Sequence, residues 1–398
     1  MTRILIHDYS GHPFQAQLSR ELARRGNDVL HLTFAGFQTP KGNLTRHADD
    51  PAGLAFGAVT LDEPFDKHSL VHRLRQEREI GRRTAAWVAR FHPEVVISGN
   101  APLDVQSIVA SESRRQHAAF LFWIQDLYSV AIARALRQRF RLPGTLAAQR
   151  FIRLEASTLR SADGIVAITE DFIPALRNWG VALDRITVIE NWAPLDEIYP
   201  VARDNEWARR HGLADRQVIL YSGTLGMKHD PSLLVALAER LPDAVVLVVS
   251  EGPGADWLKS NSRGTNIRVL PFQPFEVLPA VLGTADLLVS ILEPDAGVFS
   301  VPSKVLSSLA AGRAILAAIP VENLAARTIA RARAGQVVDP RDRAAFAEAA
   351  AAILGDNDAR LAAGVAARRY AEQAFDISAI ADRFADAGMR AIRARVRQ

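Results

Sequence analysis

The sequence contains no cysteine, so disulfides, thiolate metal sites and cysteine nucleophiles are excluded and nothing points to an oxidising compartment. It also lacks a long apolar run. Segments such as AVVLVV and AFLFWI reach only strand length, well short of the ~18 residues that span a bilayer. The start, MTRILIHDYSGHPF, breaks its apolar run early and shows no small-residue cleavage pattern, so a cytoplasmic location is expected. Several chemical signatures are missing as well. SGHPFQ does not fit G-x-G-x-x-G, and Gly223 and Gly226 stand too close for G-x-x-x-x-G-K-[ST], with His229 following Lys228. Neither H-E-x-x-H nor G-x-S-x-G occurs, and no His/carboxylate cluster has metal spacing. A nicotinamide dehydrogenase, a P-loop phosphotransferase, a metallohydrolase and a serine hydrolase are therefore disfavoured, and no metal is expected.

What is present is ordinary globular composition, 48% hydrophobic and 23% charged over 398 residues, a length that suits two to three domains. The net charge of +4 fits an anionic partner without choosing among nucleotide, nucleic acid and lipid headgroup. The distribution says more. Between Ala131 and Arg160 seven arginines (Arg134, Arg137, Arg139, Arg141, Arg150, Arg153, Arg160) face one acid, Glu155, with Leu136, Phe140, Leu146, Phe151, Ile152 and Leu159 interleaved. Such a stretch reads either as a solvated face or as a surface for anionic lipid.

Short apolar β-type runs alternate with helical patterns along the whole chain. RILIHD, DVLHLTF, EVVISG, AFLFWI, GIVAIT and RITVIE read as strands, and in FQAQLSRELARRG the residues Phe14, Leu18 and Leu22 share a helix face. After the turn-rich NWAPLDEIYPVARD the rhythm restarts with QVILYSG, AVVLVVSEG, NIRVLPF, DLLVSIL, AILAAI and QVVD, followed by an alanine- and arginine-rich helical tail from Arg341. This predicts an α/β protein of two Rossmann-like, doubly wound parallel-sheet domains facing a cleft, residues 1–195 and 196–375, with a C-terminal helix over 376–398 packing back on the first domain. Parallel sheets place ligands beyond the carboxyl ends of their strands, so chemistry is expected in the loops that follow each run.

In the first half, HDYSGHPF offers Gly11 for close backbone approach and His12 at a helix start, where His12 is either a cap residue or a substrate contact. Asp126 follows AFLFWI and reads either as an orienting group for an acceptor hydroxyl or as the cap of the next helix. In the second half, SGTLGMK supplies Gly223 and Lys228, and SEGPG supplies Glu251 and Gly252. PFQPF supplies Phe272 and Gln273, and VPSKVLSSLAAG supplies Ser303 as a helix cap, Pro302 near the first turn, and Lys304. Four such loops on one sheet edge suit a phosphate-bearing ligand.

The ordered set Y-S-G-T-L-G-x-K, S-E-G-P-G, V-x-P-F-Q-P-x-x-x-L-P, A-D-L-L-V and V-P-S-K-x-L-x-x-L-A-A-G resembles the donor domain of retaining glycosyltransferases of family 4, with the GT-B fold. D-Y-S-G-H-P, W-I-Q-D-L-Y-S, I-T-E-D-F and V-I-E-N-W-A-P resemble the bacterial envelope-polysaccharide subgroup that includes fucosaminyl transferases. The resemblance implies a nucleotide-sugar donor, UDP- or GDP-linked, held by the C-terminal domain, and a glycan or lipid-linked acceptor held by the N-terminal one. It implies transfer with retention and without a bound metal or cofactor, with no nucleic acid as partner. Lys228 matches the family's phosphate-binding lysine, Phe272 and Gln273 fall at the base, and Ser303 and Lys304 face the diphosphate.

Two positions depart from the family pattern. Thr224 stands where relatives often carry an arginine. The usual glutamate pair is replaced, its second member by Ser307, while Glu293 and Asp295 lie just upstream of where the first belongs. These departures leave a second reading open: a catalytically silent scaffold within a glycan assembly complex.

Overall fold

A computed structural model describes residues 1–36, 41–66, 69–226, 228–262 and 266–397, with the side chains of 70 and 138–143 also outside the description. Arg139, Phe140 and Arg141 of the basic stretch thus lie outside the described side chains. The chain divides into two compact units, Met1–Glu190 with Ile377–Gln398, and Asn191–Asp376.

The first unit runs β1 (Arg3–Asp8), α1 (Pro13–Arg24), β2 (Asp28–Phe34), β3 (Leu54–Val59), α2 (Leu70–Phe91), β4 (Val95–Gly99), α3 (Leu103–Arg115) and β5 (Ala119–Ile124). It continues through α4 (Tyr128–Ser161), β6 (Gly164–Ala167), α5 (Ile173–Asn178) and β7 (Ile186–Val188). The second holds α6 (Glu206–Arg210), β8 (Val218–Ser222), α7 (Ser232–Arg240), β9 (Val245–Val249), α8 (Pro253–Asn261), β10 (Ile267–Leu270), α9 (Leu278–Gly283) and β11 (Leu287–Ile291). Then come α10 (Lys304–Ala310), β12 (Ile315–Ala318), α11 (Leu324–Ala332), β13 (Gly335–Val338), α12 (Arg343–Gly355) and α13 (Asn357–Ala374), before α14 (Ile377–Val396) returns to the first unit.

Every strand pairing among the described residues is parallel. The orders are β3-β2-β1-β4-β5-β6-β7 and β10-β9-β8-β11-β12-β13. Central strands such as AFLFWI and VVLVV are buried at every residue, because helices cover both faces of a parallel sheet. The strand order reverses between β1 and β4 in one sheet and between β8 and β11 in the other, and there the loops at the carboxyl ends diverge and leave room for a ligand.

One local feature differs from the sequence reading. LAFGAV forms an edge strand, β3, that the apolar pattern did not announce. Gly57 breaks its β signal, and a Cβ there would lie 3.2 Å from Leu32 and 3.3 Å from Trp87, so a larger residue would press on the neighbouring strand and α2. The helical tail from Arg341 is divided into three helices, with Asp356 capping α13 through the Ala359 amide.

α4 is not a straight rod. The Glu155 carboxylate accepts hydrogen bonds from the amides of Tyr128 (3.2 Å) and Ser129 (2.9 Å). In a straight helix residues 27 apart stand about 40 Å from one another, so the chain doubles back between them. Burial pushes the Glu155 carboxyl up to about 7, against the pull of those amide bonds.

α14 seals one face of the first sheet. Phe384 packs on Trp123 with ring centroids 4.6 Å apart, and Arg395 reaches the buried Asp163 at 2.8 Å. At its other end Arg25 of α1 donates to Asp382 and Ser378. Phe384 and Trp123 are both almost fully buried, so Phe384→Ala removes a large contact that the fixed sheet cannot close. The expected cost is about 3–5 kcal/mol, read as a lower urea midpoint for the first unit's transition.

Candidate functional site

In the second unit the reversal point lies between the loops that follow β8 and β11, and these loops converge. Lys228 Nζ is 2.5 Å from Ser300 Oγ, and the Glu293 amide donates to the Lys228 carbonyl at 2.9 Å. Asn323 fixes the far side. Its buried side chain donates to the carbonyls of Gly297 (3.0 Å) and Ser300 (2.9 Å) while capping α11 through the Ala325 amide.

The loop after β8 is equally constrained. Gly223 has φ +121°, and a Cβ there would stand 3.3 Å from Lys304 Cε, so a side chain would strain the backbone and crowd the lysine. Tyr221 donates to the Thr224 carbonyl at 2.9 Å and accepts from Lys304 Nζ at 2.5 Å. His229 Nδ1 accepts from the Gly226 amide at 3.0 Å. Burial, with Lys304 and Lys228 nearby, pushes the His229 imidazole down to about 2, so it remains neutral and serves as a fixed acceptor that shapes the turn. Burial and the Lys228 charge push the Lys304 ammonium down to about 7. Among the described residues no carboxylate stands within ion-pair range of Lys304.

The other two loops lock onto these. The Leu225 amide donates to the Glu251 carbonyl and the Gly254 amide to the Leu225 carbonyl at 2.9 Å. Gly252, at φ +108°, starts α8. The exposed Glu251 carboxylate accepts from the Phe272 amide at 3.3 Å. Gln273 is engaged at both ends, accepting from Trp207 Nε1 at 3.3 Å and donating to the Pro271 carbonyl at 3.0 Å. All four loops named from the sequence thus lie along the carboxyl edge of β8, β9, β10 and β11. Ser307 sits on α10, three residues beyond Lys304.

One role is corrected. Ser303 makes no side-chain cap bond, because α10 begins only at Lys304 and Ser303 already has αR backbone, with φ −65° and ψ −20°. Pro302 precedes that residue and stands outside the first turn. Ser300, Tyr221, His229 and Asn323 were not singled out in the sequence, although Tyr221 and His229 flank the glycine loop there.

In the first unit the reversal lies between β1 and β4. The buried Asp8 carboxylate accepts from the amides of Ser10 (3.2 Å) and Gly11 (2.9 Å), and His12 Nδ1 stands 3.5 Å from the same oxygen. Gly11 has φ +79°. His12 occupies the N-cap position of α1, with extended backbone, but its side chain makes no cap bond. Asn100, after β4, donates to Ser10 Oγ at 3.1 Å and accepts from the Tyr128 hydroxyl at 2.7 Å. Asp126 is not the cap of α4: that position is Leu127, and the first amides are taken by Glu155. Asp126 is close enough for its charge to raise the Tyr128 hydroxyl, after burial itself. Among the described residues no group of three metal-ligating side chains forms, and no helix is long and apolar enough to cross a membrane.

With this geometry in view, the chain matches two family models: a glycosyl transferase 4-like domain over residues 12–192, and glycosyl transferases group 1 over residues 216–356. A D-inositol 3-phosphate glycosyltransferase of Xylanimonas cellulosilytica is 31% identical over 390 residues, 89% of this chain and 86% of that protein. WcaI of Escherichia coli (strain K12), assigned as a colanic acid biosynthesis glycosyl transferase, is 28% identical over 197 residues, and the match covers 48% of each chain. Among solved structures, Anabaena HepE in complex with UDP and glucose superposes with TM-score 0.71 at 17% identity, covering 97% of this chain and 99% of that one. Sucrose-phosphate synthase from Thermosynechococcus elongatus gives TM-score 0.69 at 17% identity, covering 97% and 98%. These two likenesses establish the fold.

Lys304 generates a pH dependence. An ammonium held near 7 is largely neutral at pH 8, and a diphosphate placed beside it favours the charged form, so binding takes up a proton. Affinity for a nucleotide diphosphate sugar, whose phosphates do not titrate near neutrality, is expected to fall as pH rises through about 7. Calorimetry in buffers of differing ionisation enthalpy should show proton uptake that Lys304→Met removes. An affinity flat from pH 6 to 8.5 contradicts it.

Proposed function

We propose a function from one premise: the chain belongs to the glycosyltransferases that join a glycosyl transferase 4-like domain to a group 1 domain. It transfers a sugar, a hexose or deoxyaminohexose, from a UDP- or GDP-linked donor to a glycan or lipid-linked acceptor in bacterial surface polysaccharide synthesis, with retention at the anomeric carbon. The convergence of Lys228 and Lys304 on glycine-lined loops at the second unit's reversal point carries this reading. The assignment of WcaI to colanic acid biosynthesis and the UDP and glucose bound to HepE support the choice of acceptor pathway and donor class.

The leaving group is a nucleoside diphosphate, so the second unit's task is to stabilise charge that develops on phosphate oxygens. Fixed cations aimed at that position do so without reorganisation and without a divalent metal. Lys228, held by Ser300, supplies one charge. Lys304 supplies a second once the adjacent diphosphate favours its charged form and it takes up a proton from solvent. Backbone at Gly223 and Gly252 lets the phosphates approach, Phe272 and Gln273 flank the base, and Ser307 offers a neutral hydroxyl to the ribose in place of a carboxylate. Glu293 stands next to Lys228 through its own amide and provides an acidic group near the sugar. In the first unit Asp126 and His12 bind and orient the acceptor hydroxyl, His12 being steered by Asp8. The protein works at the cytoplasmic side of an anionic membrane.

A thermal-shift panel of UDP, GDP, CMP, ADP and TDP should show concentration-dependent stabilisation by one of them. No shift at millimolar nucleotide would remove the donor site. Lys228→Ala is expected to lower kcat/KM for transfer by about 10²–10³-fold with an unchanged melting temperature. If polysaccharide production survives that substitution intact, the scaffold reading prevails.

A further inference from the structure

The first unit carries a second cationic recess on the outer face of α2 and α4. Val71, Arg75, Arg78 and Arg82 recur along α2 at spacings of four, three and four residues, one stripe of the helix. With Leu74 and with Arg150 of α4 they line a recess of about 380 Å³.

Two of the four guanidinium groups have acidic neighbours. Arg78 pairs with Asp104 at 3.0 Å and Arg82 with Glu79 at 3.2 Å. Arg75 and Arg150 are exposed, and neither has a carboxylate within 4 Å among the described residues. Each also stands one turn after a bare aliphatic side chain: Val71, 80% exposed, precedes Arg75, and Leu146, 78% exposed, precedes Arg150. Two helices thus repeat one pairing, an apolar tip beside an unpaired guanidinium. Arg150 also lies 6.0 Å from the Phe151 ring. The combination suits a phosphate-bearing lipid surface, where the tips enter the headgroup layer while the planar guanidinium forks bind phosphate oxygens.

The opposite face of α2 looks inward. Arg73 pairs with the buried Glu77 at 2.7 Å, and the Glu77 charge helps to raise the Tyr9 hydroxyl, after burial, placing this face against the loop that leads to Gly11 and His12.

We propose that Arg75, Arg78, Arg82 and Arg150 form a binding site for the phosphate groups of anionic membrane lipids, with Val71 and Leu146 inserting beside them. The site is read from these residues alone. Only the idea that it brings the enzyme to a lipid-linked acceptor rests on the transferase reading.

Flotation of the full chain with vesicles of phosphatidylglycerol and phosphatidylcholine at 30:70, against pure phosphatidylcholine, tests the site without nucleotide. Wild type should partition at least fivefold more onto the anionic vesicles at low salt and be released at high salt. Arg75→Gln/Arg150→Gln should lose at least fivefold of that binding with an unchanged melting temperature. Arg341→Gln/Arg397→Gln, the same loss of two exposed charges elsewhere, should keep it. Equal binding by both variants, or equal recovery on neutral vesicles, overturns the proposal. So does release by 10 mM inorganic phosphate at constant ionic strength, which would mark a site for soluble anions. A nucleotide thermal shift measured on the same preparations reports the donor site separately, so each reading can fail without the other.

Discussion

The second unit depends on two lysine ammonium groups being held on one sheet edge. Lys304 is set by Tyr221, whose hydroxyl accepts a hydrogen bond from its ammonium and whose ring lies 4.2 Å from Nζ, while Lys228 is set by Ser300. Burial first, and then the Lys228 charge beside it, lower the Lys304 ammonium. A folded protein retains such an arrangement at a cost. Loss of the Lys304 proton relieves that cost in the free protein, and an anion relieves it with the proton kept, which favours reading this edge as a ligand site.

Keeping two repelling groups in place requires a rigid frame, and the frame is main-chain. Gly223 bonds to the Val249 carbonyl, Leu225 to Glu251, Gly254 to Leu225 and Glu293 to Lys228, so the loops after β8, β9 and β11 are tied together by main-chain amides. His229 and Asn323 finish the work because both are buried and both use their polar atoms on backbone. The glycines follow from this interlock. A Cβ at Gly254 would stand 2.6 Å from Leu225 Cγ, so the second loop can close on the first only where no side chain stands.

The sequence made the parallel strands legible because they are buried on both faces and appear as unbroken apolar runs between helix-period segments. β3 escaped because an edge strand is half-wet and Gly57 breaks its β signal where a larger residue would press on Trp87, a constraint set far away in the chain. The doubling back of α4 was hidden for a similar reason: it shows only when Glu155 meets Tyr128 and Ser129. Among site residues, Lys228 and the glycines were visible since loop chemistry is local, whereas Ser300 and Asn323 gain meaning only from what they touch. Ser303 does precede α10, but its αR backbone keeps its hydroxyl from making the cap bond that the sequence suggested. His12 and Asp126 kept two readings in the sequence: His12 does occupy the N-cap position of α1, though its side chain makes no cap bond, whereas at α4 the cap position is Leu127 and Asp126 is not the cap.

The same sign of charge is used in two ways, and burial separates them. Lys304 is enclosed enough for its proton to respond to a neighbouring anion, which makes it suited to charge that appears during a reaction. Arg75 and Arg150 are exposed, and guanidinium groups do not give up their protons in proteins, so they attract phosphate at any physiological pH and only salt weakens them. Lysine in the loops and arginine on the outer helices is therefore a division by chemistry: a group that titrates where bonds change, and groups that never titrate where a surface has only to be held.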